Sequence, residues 1–172
     1  AVNWNLHLYR REPHKPVINL EAMYDTGGED AFNADDARSL AYRSWLSGAL
    51  GYTYGTDLYE WITDPAHASY WRKAMARPSS TQMRYLRDLL AGLRWWELEP
   101  DSERILDQPD DPTARAVLAR TRDGKLVLAY LPRAAEVRVN LDGLADPMRA
   151  RWYNPRTGKH VGTPAAVTGA GV

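Results

Sequence analysis

The chain has 172 residues, which suits one medium domain or two small ones. Its 22 basic and 22 acidic residues balance to a net charge of +0, so it lacks both the basic footprint of a nucleic-acid binder and the cationic character that anionic membranes attract. It contains no cysteine, which excludes disulfides, thiol nucleophiles and thiolate metal sites, and its 44% hydrophobic and 26% charged residues are those of a globular protein rather than a disordered one.

From the N-terminus, Val2 to Tyr9 alternates Trp4, Leu6 and Leu8 with Asn3, Asn5 and His7, which predicts a short strand. Lys15 to Leu20 (KPVINL) is apolar with little alternation, the pattern of a strand covered on both faces, and it stops on the charged Glu21. A loop follows to Ala34. Asp35 or Asp36 is placed to cap a helix running to about Leu50, with Ala37, Leu40, Ala41, Trp45 and Ala49 spaced by threes and fours. Gly51 interrupts it, and Tyr52 to Gly55 reads as a short strand. After a loop over 57–67 come a short helix at 68–76 and a second helix. The second is capped by Ser80 or Thr81, runs through Leu93 and has an apolar face of Met83, Leu86, Leu89, Leu90 and Leu93. Pro100 to Asp111 is acidic and Pro-rich, a candidate linker.

Beyond Arg115 the period becomes two. Residues 116–122 and 125–131 flank the hairpin signal Asp123-Gly124, residues 136–141 alternate again, and 148–153 and 159–161 flank a turn at Asn154-Pro155. The first half therefore reads as βα units with a parallel sheet and the second as a small antiparallel β domain. So few strands and helices cannot cover both faces of a parallel sheet, so the first hundred residues are expected to be the last part of a larger α/β domain. An exposed apolar face of that kind is expected to self-associate. Ala1 either follows a processed Met or lies within a longer protein.

Four stretches, KPVINLEAMYD, AYRSWLSGALGYTYG, SSTQMRYLRDLLAGLRWWELEPD and ARWYNPRTGKHVG, together resemble the apiosidase-like glycoside hydrolases (glycoside hydrolase family 140, formerly domain of unknown function 4038). The resemblance implies the C-terminal part of a (β/α)8 barrel, strands six to eight, over residues 1–101. A linker at 102–111 and an antiparallel β-sandwich at 112–172 follow; the sandwich is of the type often labelled collagen-binding and here short of its last strands. Its most specific element is the Trp95, Trp96, Leu98, Pro100, Asp101 run, with Trp95 and Trp96 expected to be buried where barrel and sandwich meet.

In a (β/α)8 barrel the site lies at the C-terminal ends of the strands. Glycoside hydrolysis needs two carboxylates. The resemblance makes Glu21 the nucleophile at strand seven and assigns the acid/base to a strand this chain does not contain. Asp25, Glu29, Asp30 and Asp57 lie in loops that reach towards the same mouth, and none of them is assigned. Tyr24, three residues on, is placed either to hydrogen-bond Glu21 or a sugar hydroxyl, or to pack under its loop. Trp4 and His7 on the first predicted strand, Tyr54, and Trp61 are the remaining candidate sugar contacts, since a flat indole suits the apolar face of a sugar. The bland alternative is packing for each of these rings, and a lone His is more often structural. The composition, with Trp 7 and Tyr 10 against Phe 1, is compatible with ring stacking on sugars or with a wet, half-buried surface.

Phosphate-loop, G-x-S-x-G and H-E-x-x-H motifs are missing, and four scattered histidines do not form a metal set, so no cofactor or metal is expected. The expected partner is a carbohydrate, with no nucleic acid or membrane and an oligomeric state left open; the resemblance implies export. Two readings follow. One is the C-terminal portion of a retaining glycosidase acting on polysaccharide side chains. The other is a catalytically incomplete or degenerate piece serving as a carbohydrate-binding or structural module.

Overall fold

The computed structural model describes residues 2–26, 32–56 and 70–167. The described residues mix helices with three small sheets, and among them no closed barrel is formed. The elements in order are α1 (Val2–Tyr9), β1 (Ile18–Asn19), α2 (Ala34–Leu46), β2 (Gly51–Tyr52), α3 (Tyr70–Met75), α4 (Pro78–Ala91), β3 (Leu98–Pro100), β4 (Val117–Thr121), β5 (Val127–Tyr130), β6 (Met148–Asn154) and β7 (Lys159–Val167).

The first departure from the sequence reading is at the N-terminus, where Val2–Tyr9 is a helix and not a strand. Alternation over so few residues is compatible with either period. Asn5 is buried with Leu8 and Tyr9 half-buried beside it, spacings of three and four that make one helical face. The parallel sheet therefore holds two described strands. β1 pairs with β2 in register Ile18 to Gly51 and Asn19 to Tyr52, and the pairing resumes further on at Asp25 and Thr56. Nor is β1 covered on both faces. Val17 is buried, but Ile18 is 51% and Leu20 70% exposed.

Helix α2 starts one residue before the predicted cap. Asn33 accepts hydrogen bonds from the backbone of Asp35 and Asp36, while the Asp36 carboxylate accepts from the Asn33 backbone, a reciprocal capping box. The helix stops at Leu46, short of Leu50, because Gly48 adopts φ +94 and turns the chain. The Tyr9 ring lies over that glycine so closely that a Cβ there would fall 2.5 Å from the ring. Helix α4 begins at Pro78 rather than at Ser80 or Thr81: proline suits a first helical position, whose N–H would have no helical partner.

Helices α2 and α4 pack together and lie on the antiparallel sheet β3-β4-β5. One core runs through all of them: Ala41, Tyr42 and Leu46 from α2, Leu86 and Leu90 from α4, Val117 and Ala119 from β4, and Tyr130 from β5. The Tyr42 and Tyr130 rings stack at 4.7 Å. The other face of β4 buries Leu118 against Ile105 and Ala116, with Val137 and Val139 alongside. The segment after Pro100 thus contributes a short 3-10 turn and a buried Ile105, which bridges Val139. Residues 136–141 make that single bridge and no longer strand.

The Asp123-Gly124 hairpin forms as expected between β4 and β5. The β6–β7 hairpin also forms, but its face is open. Trp152 is 65% exposed, because among the described strands β6 and β7 pair only with each other. The turn end of this hairpin is held: Tyr153 donates to the Tyr85 carbonyl at 3.0 Å and Arg156 pairs with Asp35 at 2.7 Å. Trp95 meets Trp45 edge-on at 5.1 Å, whereas Trp96, expected to be buried, is 63% exposed.

Two outcomes follow for stability. Asn33→Ala removes the side-chain half of the capping box, keeping the backbone N–H that donates to Asp36, and is expected to cost about 1 kcal/mol in urea unfolding. Asp35 accepts from the buried Arg38 and from Arg156, and these hydrogen bonds hold its carboxyl below the ordinary value of 3.8. A depressed folded value means the stabilisation is complete above the unfolded value and fades as pH falls through the folded one. Unfolding midpoints followed from pH 6 down to pH 2 are expected to fall less steeply in Asp35→Asn. The difference should shrink in high salt, because Asp35 and Arg156 are more than half exposed.

Candidate active site

Glu21 follows β1 at its C-terminal end, two residues past Asn19, and its side chain is exposed. Backbone position is set by the neighbouring strand: the Thr53 backbone N–H donates to the Asn19 carbonyl at 3.0 Å, and the Thr53 hydroxyl reaches the carbonyls of Asn19 and Leu20. From below, Asn19 donates through its amide to Ser44 on α2 at 3.2 Å. The Tyr24 hydroxyl donates to Glu21 Oε1 at 3.2 Å. The chain thus turns back on itself so that a phenol faces the carboxylate. Of the placements considered for Tyr24, the hydrogen bond with Glu21 is present, and the ring packs as well. Tyr24 has its ionisation pushed upwards, first by that hydrogen bond and then by the nearby negative charge. The phenol therefore remains a donor throughout the neutral range.

Gly55 makes the arrangement possible. The Tyr24 ring covers it so tightly that a Cβ at this position would lie 2.4 Å from the ring. One residue on, Asp25 is 2% exposed. Its backbone N–H donates to the Gly55 carbonyl at 3.1 Å, and its carboxylate accepts from the Ser79 hydroxyl and lies 3.4 Å from Arg77. Arg77 also donates to the backbone carbonyls of Asp25 and Thr26. Ser79 is fully buried at the start of α4, and its hydroxyl is 2.8 Å from that of Tyr54. Sequence reasoning named Asp25 as a loop acid and did not see this cluster. The buried Ser79 and the half-buried Arg77 lie more than fifty residues away, at the start of a helix whose cap was expected at Ser80 or Thr81 and stands at Arg77.

The other candidates are dispersed. Trp4 and His7 stand on the outer face of α1, ahead of β1 rather than on a strand end, with rings stacked at 5.8 Å. Tyr54 is half-buried with its hydroxyl turned to Ser79. Trp61, Glu29, Asp30 and Asp57 lie outside the described residues. Among the described residues no three acidic or histidine side chains are grouped to hold a metal ion, and no helix is long and apolar enough to cross a membrane.

The Tyr24–Glu21 contact has a direct readout. In a titration followed by carbon NMR of labelled tyrosine, Tyr24 is expected to ionise at higher pH than an ordinary tyrosine. Glu21→Gln should bring it back down. An unchanged Tyr24 titration in that variant would contradict the contact.

Comparison with known families and structures accords with this geometry. Residues 2–97 match the family described as "Apiosidase-like, catalytic domain". Residues 100–168 match that described as "Putative collagen-binding domain of a collagenase". No curated protein matches the chain. Among solved structures, one titled "Glycoside hydrolase" superposes with a TM-score of 0.80 at 25% identity over 92% of this chain and 38% of its own. A glycoside hydrolase family 5 structure from Bacteroides vulgatus ATCC 8482 superposes with a TM-score of 0.76 at 24% identity, over 94% of this chain and 40% of its own. The chain thus spans about two fifths of the length of the structures it matches. Since the catalytic-domain match covers more than half of its residues, the chain belongs to the apiosidase-like family.

Proposed function

We propose that this chain is the C-terminal part of a retaining glycoside hydrolase of (β/α)8 architecture, acting on polysaccharide side chains, with Glu21 as its nucleophile. In this reading residues 1–101 belong to the barrel, 102–111 join it to the β domain, and 112–172 form part of a β-sandwich. The observation that carries it is Glu21 itself. An exposed carboxylate at the C-terminal end of a strand in a parallel pair, held by a tyrosine hydroxyl, is where and how a barrel glycosidase presents its nucleophile. The open apolar side chains Ile18, Leu20 and Met23 support the barrel reading, since further parallel strands would cover them.

The chemistry is double displacement. Glu21 attacks the anomeric carbon as the glycosidic C–O bond breaks, and a second carboxyl group gives its proton to the departing oxygen. The resulting glycosyl ester is then attacked by water, which that second group, now a base, deprotonates. The Tyr24 hydroxyl stabilises the Glu21 carboxylate before attack and again as it leaves. Asp25 is a poor candidate for the second carboxyl, because it is buried and already engaged by Ser79 and Arg77. The acid/base therefore belongs to another part of the protein, ~5–5.5 Å from Glu21 as retention requires.

In the full-length protein Glu21→Gln is expected to lower kcat by about 10³-fold or more while leaving the fold intact. Glu21→Ala should recover turnover when azide is supplied, with azide bonded to the anomeric carbon of the product in inverted configuration. Ordinary turnover by Glu21→Gln would remove the assignment of Glu21 as nucleophile, and absence of turnover from the unaltered full-length protein would leave the carbohydrate-binding or structural reading.

A further inference from the structure

The buried cluster behind Glu21 is unusual in its cost. A carboxylate at 2% exposure must be met by hydrogen bonds or charge, or it destabilises the fold by several kcal/mol. A sheet end needs no such group for packing. The partners of Asp25 come from two separate places: Ser79 and Arg77 at the start of α4, and Gly55 from the segment after β2. The direction of the hydroxyl chain is determined. Ser79 has one proton, which it gives to Asp25, so Tyr54 is the donor to Ser79. Arg77 closes the other side, reaching both the Asp25 carboxylate and the carbonyls of Asp25 and Thr26.

Most of these bonds end on Asp25, the residue next to Tyr24, with Tyr54 acting through Ser79 and Arg77 also reaching Thr26. On its far side the Tyr24 ring is pressed against Gly55, the residue whose carbonyl accepts from the Asp25 backbone. The phenol is thereby held between an anchored backbone and a glycine without room for displacement, and its hydroxyl is aimed at Glu21. We propose that Asp25, with Ser79, Tyr54 and Arg77, is a positioning unit that holds the Tyr24 hydroxyl on the Glu21 carboxylate. This rests on the assignment of Glu21 as nucleophile. It gives Tyr54 a role through Ser79 rather than as a sugar contact.

The test uses the full-length enzyme and compares Asp25→Asn, Ser79→Ala, Tyr24→Phe and the double variant Asp25→Asn with Tyr24→Phe. Loss of the contact with Glu21 removes what pushes the Tyr24 ionisation upwards, so in the carbon NMR titration of labelled tyrosine Tyr24 should ionise at lower pH. Asp25→Asn and Ser79→Ala are expected to show that movement, with kcat lowered by up to about 10²-fold and KM little changed, as for a misplaced catalytic group. Tyr24→Phe should lower kcat in the same way. The double variant should be no worse than Tyr24→Phe alone.

A cluster that merely stabilises the fold would lower the melting temperature and leave the Tyr24 titration where it was. Its effect would add to that of Tyr24→Phe. Either result would overturn the proposal. Should Asp25→Asn fail to fold, Ser79→Ala carries the same comparison with the charge retained. The two assignments fail separately. Turnover by Glu21→Gln removes the nucleophile, whereas an inactive Glu21→Gln beside an unshifted Tyr24 titration in both cluster variants removes only the positioning unit.

Discussion

The structure depends on one stack of rings. Tyr42 on α2 lies flat against Tyr130 on β5 at 4.7 Å, with Leu46, Leu86, Leu90 and Val117 around the pair. This contact joins the helices that follow the parallel strands to the sheet of the β domain. It also fixes the orientation of α2, and with it Ser44, which meets the amide of Asn19 just ahead of Glu21. The same helix carries the buried Arg38 across to Gln82 on α4 at 2.7 Å, so the two helices cannot slide past one another without breaking a charged hydrogen bond. The phenol of Tyr42 is so enclosed that burial pushes its ionisation far upwards. What is matched as two families is thus held by one core.

Charge is distributed according to this core. Away from it, ion pairs such as Arg10 with Glu103 and Arg138 with Asp107 are exposed and add little. Asp101 belongs to a different kind of pair. Although desolvation works against its charge, Arg120 and Arg104 together hold its carboxyl below the usual range, and both reach it at 2.6 Å. It ties the 3-10 turn to β4 at the junction of the two family matches. Asp25 is the most enclosed of the described acids, and it alone lies next to a residue that touches Glu21. Structural and catalytic polar groups are in this way separated by burial and by location, not by residue type.

Several apolar side chains end in solvent. Ile18, Leu20 and Met23 on the parallel side and Trp152 on the β6–β7 hairpin are open, and both sheets to which they belong have two strands. Edges of this kind are the places where sheets continue. The tryptophan and tyrosine bias is partly explained by the packing: Trp45, Trp95 and Trp96 form a run of edge-on contacts beneath β3, and Tyr24, Tyr54 and Tyr153 each use a hydroxyl as well as a ring. A phenylalanine could not serve in the latter places.

The sequence by itself determined the strand, helix, strand, helix, helix order from Lys15 to α4, the two hairpins, the family, and Glu21 as the acid that follows an apolar strand, but it missed β3 and expected a strand at 136–141 where there is a single bridge. These are local or near-local facts: a strand ending in a charge, Asp123-Gly124 between alternating runs, apolar spacing along α2 and α4. It misjudged Val2–Tyr9, because eight residues fit two periods, and it set the start of α4 late, because Pro78 punctuates as well as initiates. Only the tertiary structure decided that Trp96 and Trp152 are exposed, that Tyr24 turns its hydroxyl to Glu21, and that Asp25 is met by Ser79 and Arg77. Those outcomes depend on which distant segments come together. A charge in a loop reads the same in sequence whether it ends in water or beneath a helix, and it is packing against α4 that makes the difference for Asp25.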